Sequence, residues 1–462
     1  MSQQTEPDID EFQDVKPTPA ELKFEKIITP FEEFVRGETT SGLALMFCTV
    51  VALLVANSFL APVYEHLLHI PVSLHFGSWS LELTLHHGIN DGLMTLFFFV
   101  VGLEIKREIL VGELSRLSQA MLPIFAAVGG MVVPAGLYFL INAGGPGAHG
   151  WGVPMATDIA FAIGIMALLG KRVPASLFTF LVALAIVDDL GAVAVIAIFY
   201  TDTLNFIALA AAGGLLALLI GMNYVHVRRT LPYFVIGLLL WYAMYESGVH
   251  ATIAGVLTAW TIPAKSKMSP RNFAALVTKL LKRYRRHLHK GGDTGYDTAD
   301  QQQRRGIVQA LEDGVHAQET PLQRLEHNLH LPVAFVIIPL FALANAGIPI
   351  EFGKLDDALT HPVALGVIVG LVLGKTIGIG GAAWLAIKLG IATLPTGTRM
   401  RHLFGAAMLG GVGFTMSIFI AELGYPGLPH ELLMAKTGIL FASLLAGVSG
   451  YLVLRNTPAK NA

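Results

Sequence analysis

Asp158, the adjacent Asp188 and Asp189, and Lys375 lie deep inside stretches that are otherwise almost wholly apolar and long enough to cross a lipid bilayer. On membrane-insertion scales one charge at the bilayer centre costs roughly 2.5–3.5 kcal/mol, so four cost on the order of 10–14 kcal/mol, comparable to the whole stability of an ordinary domain. Lys375 can neutralise one carboxylate in a structural pair. Two of the three acids are then unmatched, and unmatched acids within a membrane mark an ion or proton path.

The remaining sequence reads as an all-α polytopic membrane protein. Of its 462 residues, 54% are hydrophobic and 14% charged. The net charge of −2 is uninformative by itself, and no nucleic-acid partner is expected. About twelve spans are expected, near 41–60, 88–105, 120–142, 151–170, 175–200, 204–222, 231–246, 249–263, 331–347, 362–387, 403–422 and 433–454, the seventh to ninth being short. With both termini cytoplasmic, 28 of the 31 Lys and Arg fall in inside segments, a strict positive-inside bias. The organisation read from this is a cytoplasmic tail at 1–38, spans one to eight over 39–263, a cytoplasmic loop at 264–325, spans nine to twelve over 326–455, and a cytoplasmic tail at 456–462. The first tail is polar and acidic with no early apolar region, so no cleavable signal is expected. The single Cys48 excludes an intramolecular disulfide and reads as a small buried hydrophobe.

Two features outside the spans stand out. Around 71–86, Val72, Leu74 and Phe76, then Trp79, Leu81, Leu83 and Leu85, alternate about Gly77-Ser78, which predicts a small β-hairpin on the outer face. An isolated hairpin is marginal in water, so packing on a neighbour, such as a second copy in a homodimer, competes with a flexible loop. In the long loop, Phe273, Leu276, Val277, Leu280, Leu281, Tyr284 and Leu288 follow helical spacing, interleaved with Lys279, Lys282, Arg283, Arg285 and Arg286. That is a basic amphipathic helix, suited either to an anionic inner leaflet or to packing on its own protein.

The fourth and eleventh spans carry helix breakers or a glycine cluster beside a threonine: Gly152, Pro154 and Thr157 in one, Gly410, Gly411, Gly413 and Thr415 in the other. Each is the middle member of a group of three, spans 3–5 and 10–12. Glycines also let helices pack closely, but interrupted helices at matched places point to a transporter with inverted repeats. Half-helix ends at mid-membrane need compensation by Asp158, Lys375 or water. Asp188 and Asp189 project about 100° apart on one helix, so one can face Lys375 and the other a cavity. Carboxylates with a threonine hydroxyl and free carbonyls form the oxygen-rich surroundings that a hard cation prefers. Protons and a small alkali cation would compete for these oxygens, which suffices for exchange if the site faces one side at a time.

The stretches FFFVVGLEIKREIL, PMATDIAFAIGIMALLG, LVALAIVDDLGAVAVIAIFY, SGVHATIAGVL, PLQRLEHNLHLPVAFVIIPLFALANAG, GLVLGKTIGI and GGVGFTMSIFIAEL, in this order, strongly resemble bacterial sodium/proton antiporters of the NhaA type, over roughly 35–455. The resemblance implies a non-enzymatic, pH-regulated, electrogenic exchanger of the bacterial inner membrane, without a cofactor, in which inward H+ drives Na+ or Li+ out by alternating access. By that resemblance Asp189 is the principal carboxylate for cation and proton, and Asp188 is the partner of Lys375 or a second Na+ ligand. Thr157 and Asp158 belong to two crossed, interrupted helices. Glu104, Arg107, Glu108, Glu326 and His327 match a cytoplasmic pH-response cluster, and His250 matches another pH-linked position. Gln323 stands where a basic residue is expected in relatives. A sodium-coupled symporter of an organic solute would share the broken helices and is the alternative reading; it predicts a larger, more polar cavity.

Overall fold

The computed structural model describes residues 38–76, 79–201, 204–266, 268–288, 298–350, 353 and 355–457. Nearly all of both expected tails, at 1–38 and 456–462, lies outside the described residues. The chain opens with α1 (Glu38–Ala56) and α2 (Ala61–Leu68), then β1 (Pro71–Phe76) and β2 (Trp79–Thr84). The strands pair antiparallel as the expected hairpin, with Val72 opposite Leu83 and Leu74 opposite Leu81. Leu85 does not extend the second strand: the Thr84 side chain accepts a hydrogen bond from His87 N at 3.2 Å and starts the next helix.

That helix is α3 (Leu85–Leu110), followed by α4 (Leu117–Asn142), the 3₁₀-wound half-helix α5 (Pro146–Met155), α6 (Ile159–Ala167), α7 (Ala175–Phe199), α8 (Phe206–Tyr224), α9 (Thr230–Ser247) and α10 (Ile253–Thr261). The loop helices are α11 (Pro270–Leu288) and α12 (Thr298–Gln318). The second half consists of α13 (Pro321–Asn345), α14 (Pro362–Lys388), α15 (Met400–Leu409), α16 (Phe414–Gly424) and α17 (Pro429–Arg455).

Helices occupy all twelve expected positions, but not as twelve equal crossings. Among the described residues seven are long and apolar enough to span alone, and three bent pairs, α1 with α2 (114°), α5 with α6 (44°) and α15 with α16 (46°), bring the count to ten. α9 is diluted by Pro232, Tyr233, Tyr242, Tyr245 and Glu246, and α10 has only 9 residues. The ninth crossing starts earlier than expected, so the boundary at 326 falls inside α13. Thr320 and Gln323 close a capping box there, with Gln323 N on Thr320 Oγ1 at 3.1 Å and Thr320 N on Gln323 Oε1 at 3.2 Å. This gives Gln323 a structural role. Cys48 is half-buried rather than buried.

The two groups of three share one construction: a long helix (α4, α14), a broken pair (α5 and α6, α15 and α16), and a second long helix (α7, α17). α4 and α14 cross where each carries glycine. A Cβ on Gly129 would stand 2.3 Å from the Gly378 carbonyl oxygen, and one on Gly378 would stand 2.2 Å from that of Gly129, so only glycine allows this approach. A π turn at Val369–Gly374 directly precedes Lys375 and sets the direction of its side chain. The apolar face of α11 meets α12: Leu276 and Phe273 lie against Gly314, and Leu280 and Ile307 are buried. Of the two roles open to this helix, its apolar stripe serves protein packing.

Candidate ion-binding site

The breaks of the two interrupted helices face each other at the centre of the fold. Asp158 is the N-cap of α6, and its Oδ1 accepts from Phe161 N at 3.0 Å. Its Oδ2 accepts from Thr415 N at 3.0 Å and Thr415 Oγ1 at 2.5 Å, at the first turn of α16. One carboxylate therefore serves the positive ends of two half-helices, each equivalent to roughly +0.5 charge. The backbone completes the crossing, with Asp158 N donating to Val412 O at 2.7 Å.

The opposite ends, the C-termini of α5 and α15, expose carbonyls. Thr157 Oγ1 donates to Gly410 O at 2.8 Å and accepts from Lys375 Nζ at 3.0 Å. Lys375 Nζ also donates to Asp188 Oδ2 at 2.6 Å, and both side chains are fully shielded from solvent. A cation beside helix C-termini is the electrostatically favoured arrangement.

What remains is unsatisfied. Among the described residues Asp188 Oδ1 and both carboxylate oxygens of Asp189 have no hydrogen-bond partner, although Asp189 is 0% exposed. Buried carboxylate oxygens without donors are costly, and in a folded protein they call for a ligand, a proton or water. Among the described residues no group of three or more His, Cys, Asp or Glu is arranged to hold a metal; the expected Na+ position involves two acids, Asp188 and Asp189.

The breaker residues are tightly enclosed. A Cβ on Gly152 would meet the Tyr200 hydroxyl at 2.7 Å, one on Gly411 the Leu371 carbonyl at 2.4 Å, and one on Gly413 the Ser417 hydroxyl at 2.1 Å. A Cβ on Gly410 would stand 2.5 Å from Ile379 Cδ1, while Pro154 packs on Gly370.

The expected pH-response residues divide. Arg107 pairs with Glu326 (2.6 Å) and Glu108 (2.9 Å). Glu104 faces His330 at 3.7 Å, whereas His327 is exposed and, among the described residues, has no such contact. His250 lies apart from this cluster: its Nε2 is 2.5 Å from Tyr200 O, and its charged neighbour is Asp91, near the other end of α3 from Glu104.

Several polar contacts had no local signal. The hydroxyls of Tyr138 and Tyr425 bond to each other, and Tyr138 donates to Gly147 O at 2.8 Å. Tyr200 OH donates to His149 O and accepts from Gly152 N, each at 3.0 Å. Ser417 Oγ donates to Val153 O at 2.8 Å, joining α16 to α5. Lys436 pairs with Glu422 at 2.6 Å, with His86 and Asn345 beside them.

The model of the Na+/H+ antiporter 1 family matches residues 32–454. The chain is 54% identical over 434 residues to the Na(+)/H(+) antiporter NhaA 1 of Saccharophagus degradans, covering 94% of this chain and 93% of the relative. It is 52% identical over 441 residues to the Na(+)/H(+) antiporter NhaA of Sulfurimonas denitrificans, covering 95% and 97%. With nearly its whole length accounted for in this way, the chain belongs to the Na+/H+ antiporter 1 family.

Proposed function

We propose that the chain is a sodium/proton antiporter of a bacterial plasma membrane, with both termini cytoplasmic, exporting Na+ or Li+ in exchange for inward H+. One observation carries the reading of the site: three buried carboxylate oxygens on Asp188 and Asp189 have no donor, next to a single lysine. Asp158 is offset by two half-helix ends and Asp188 by Lys375, which leaves Asp189 without a countercharge. In a low-dielectric centre that charge requires a proton or a small cation. A cation binding across Asp188 and Asp189 would displace the Lys375 ammonium, and hydroxyl, carbonyl or water oxygens would complete its shell. Protons returning to the same oxygens then release it; exchange is electrogenic where more than one proton returns for each cation, and Asp189, Asp188 and Lys375 together offer more than one protonation position. The Arg107, Glu326, Glu104 and Glu108 group is the proposed pH-responsive element, with His250 as a separate one.

The test is transport in everted vesicles carrying an energised pH gradient. Sodium and lithium should dissipate the gradient and choline should not. Failure of both ions with the protein demonstrably inserted would overturn the reading, and strict dependence on an organic solute would favour symport. We further propose a homodimer through the hairpin, supported by its unpaired strand edges. Deleting 71–86 should reduce dimer content by native mass measurement, and an unchanged content would refute it.

A further inference from the structure

α11 has two dissimilar faces and no acidic residue. Successive residues turn by about 100°, which sets Arg271, Lys279, Lys282 and Arg285 on the side away from Phe273, Leu276 and Leu280, while Arg283, seven positions after Leu276, lies along the apolar side. The apolar side is already occupied. A Cβ on Gly314 of α12 would stand 2.9 Å from Leu276, and Leu280 is 8% exposed. The five basic side chains are exposed, and among the described residues none forms an ion pair.

The position of this arm is restricted by its attachments. Met268 N donates to Ala317 O at 3.1 Å, which fastens the start of α11 to the end of α12, and Leu322 N donates to Pro263 O at 3.3 Å. Only residues 319–320 separate α12 from α13, and 262–269 separate α10 from α11. An eight-residue link reaches at most about 28 Å, and a two-residue link about 7 Å. The start of the basic face is therefore tethered within reach of the membrane on the side where the chain concentrates its positive charge.

We propose that α11 docks this face on anionic lipid headgroups of the inner leaflet beside the transporter. The contact is electrostatic, because the apolar face is committed to α12 and cannot insert. Charge complementarity selects the occupant: a leaflet rich in anionic lipid attracts a cluster of several Lys and Arg within a Debye length of its surface, and salt weakens the attraction.

The experiment uses the full chain with Cys48→Ser and Ala275→Cys, the latter in the middle of the exposed basic face. A fluorophore at position 275 is monitored in vesicles of phosphatidylcholine alone or mixed with phosphatidylglycerol, each containing a headgroup spin-labelled lipid as quencher. Quenching should be at least severalfold stronger in the anionic vesicles, reverse in high salt, and disappear when Arg271, Lys279, Lys282 and Arg285 are all changed to Gln. The salt response of the unchanged arm stands even if that variant folds poorly. Equal quenching in both membranes, insensitivity to salt, or a label at position 275 that is unquenched in either would overturn the proposal. An acidic protein as the true partner would give the last of these outcomes.

Discussion

Asp188 and Asp189 are neighbours on α7, both sealed from solvent, yet only Asp188 meets Lys375, at 2.6 Å, while Asp189 has no donor on either oxygen. The difference follows from the helix. One step rotates a side chain by about 100°, so a lysine fixed by the π turn of α14 can reach one carboxylate and not the other. Adjacent residues of the same type thus acquire opposite electrostatic settings.

Asp189→Asn should separate function from stability. The change removes an uncompensated buried charge at nearly constant volume, so the melting temperature in detergent should stay level or rise. Sodium affinity should fall by about 30-fold or more, equivalent to about 2 kcal/mol. Normal affinity in this variant, measured by calorimetry, would remove Asp189 from its proposed role.

Lys375→Ala should have the reverse emphasis. It strands the Asp188 carboxylate in a dry site, at a cost of about 3–5 kcal/mol, and should lower the melting temperature markedly. Adding Asp188→Asn removes the stranded charge, so the double variant should regain much of the loss. If the double variant is no more stable than Lys375→Ala, the pair at 2.6 Å contributes nothing distinctive.

His361, just before α14, offers a pH test away from the ion site. Burial, then the neighbouring His430, lowers its pKa from the usual value near 6.5, and Glu431 opposes this. The unfolded chain therefore binds more protons than the folded one between the lowered value and about 6.5, and stability declines as pH falls through that window. Above it the contribution is fully present. His361 Nδ1 accepts from Val363 N at 3.4 Å; His361→Asn keeps an acceptor there and should flatten the acid side of a melting-temperature profile. An unchanged profile would mean that other groups set it.

Much of this architecture was legible because membrane solvent leaves a strong signature. Apolar runs marked the helices, and the cost of burying Asp158, Asp188, Asp189 and Lys375 singled them out before any contact was known. Contacts between distant segments left no such mark. Tyr138 meets Tyr425 across 287 positions, and Ser417 meets Val153 across 264; hydroxyls of this kind are common in apolar helices. His327 was expected beside the acidic cluster, but His330 is the residue facing Glu104. Lying four positions after Glu326, it shares that residue's helix face, whereas His327 is turned about 100° away. The apolar content of α9 and α10 predicts crossings, and the sequence does not show that the helical part of α10 is only 9 residues, its start delayed by the turn at Ala251–Thr252.

Asp158 gives the most specific prediction, because one carboxylate caps two helices from distant parts of the chain. Its own α6 uses Oδ1 and the first turn of α16 uses Oδ2. Loss of an N-cap typically costs about 1 kcal/mol and up to about 2, so Asp158→Ala, which opens both, should cost about 2–4 kcal/mol. Asp158→Asn retains one carbonyl oxygen, while its amide must face either Phe161 N or Thr415 N, both donors. One cap survives, and the stability loss should be about half that of alanine. Thr415→Val removes the 2.5 Å hydroxyl bond but leaves the 3.0 Å backbone bond, so alone it should cost less than Asp158→Asn. Combined with Asp158→Ala, it should add little, since the two act on the same contact. A set of melting curves for the four variants checks this ordering, and full additivity of Thr415→Val with Asp158→Ala would show that the carboxylate does not join the two half-helices.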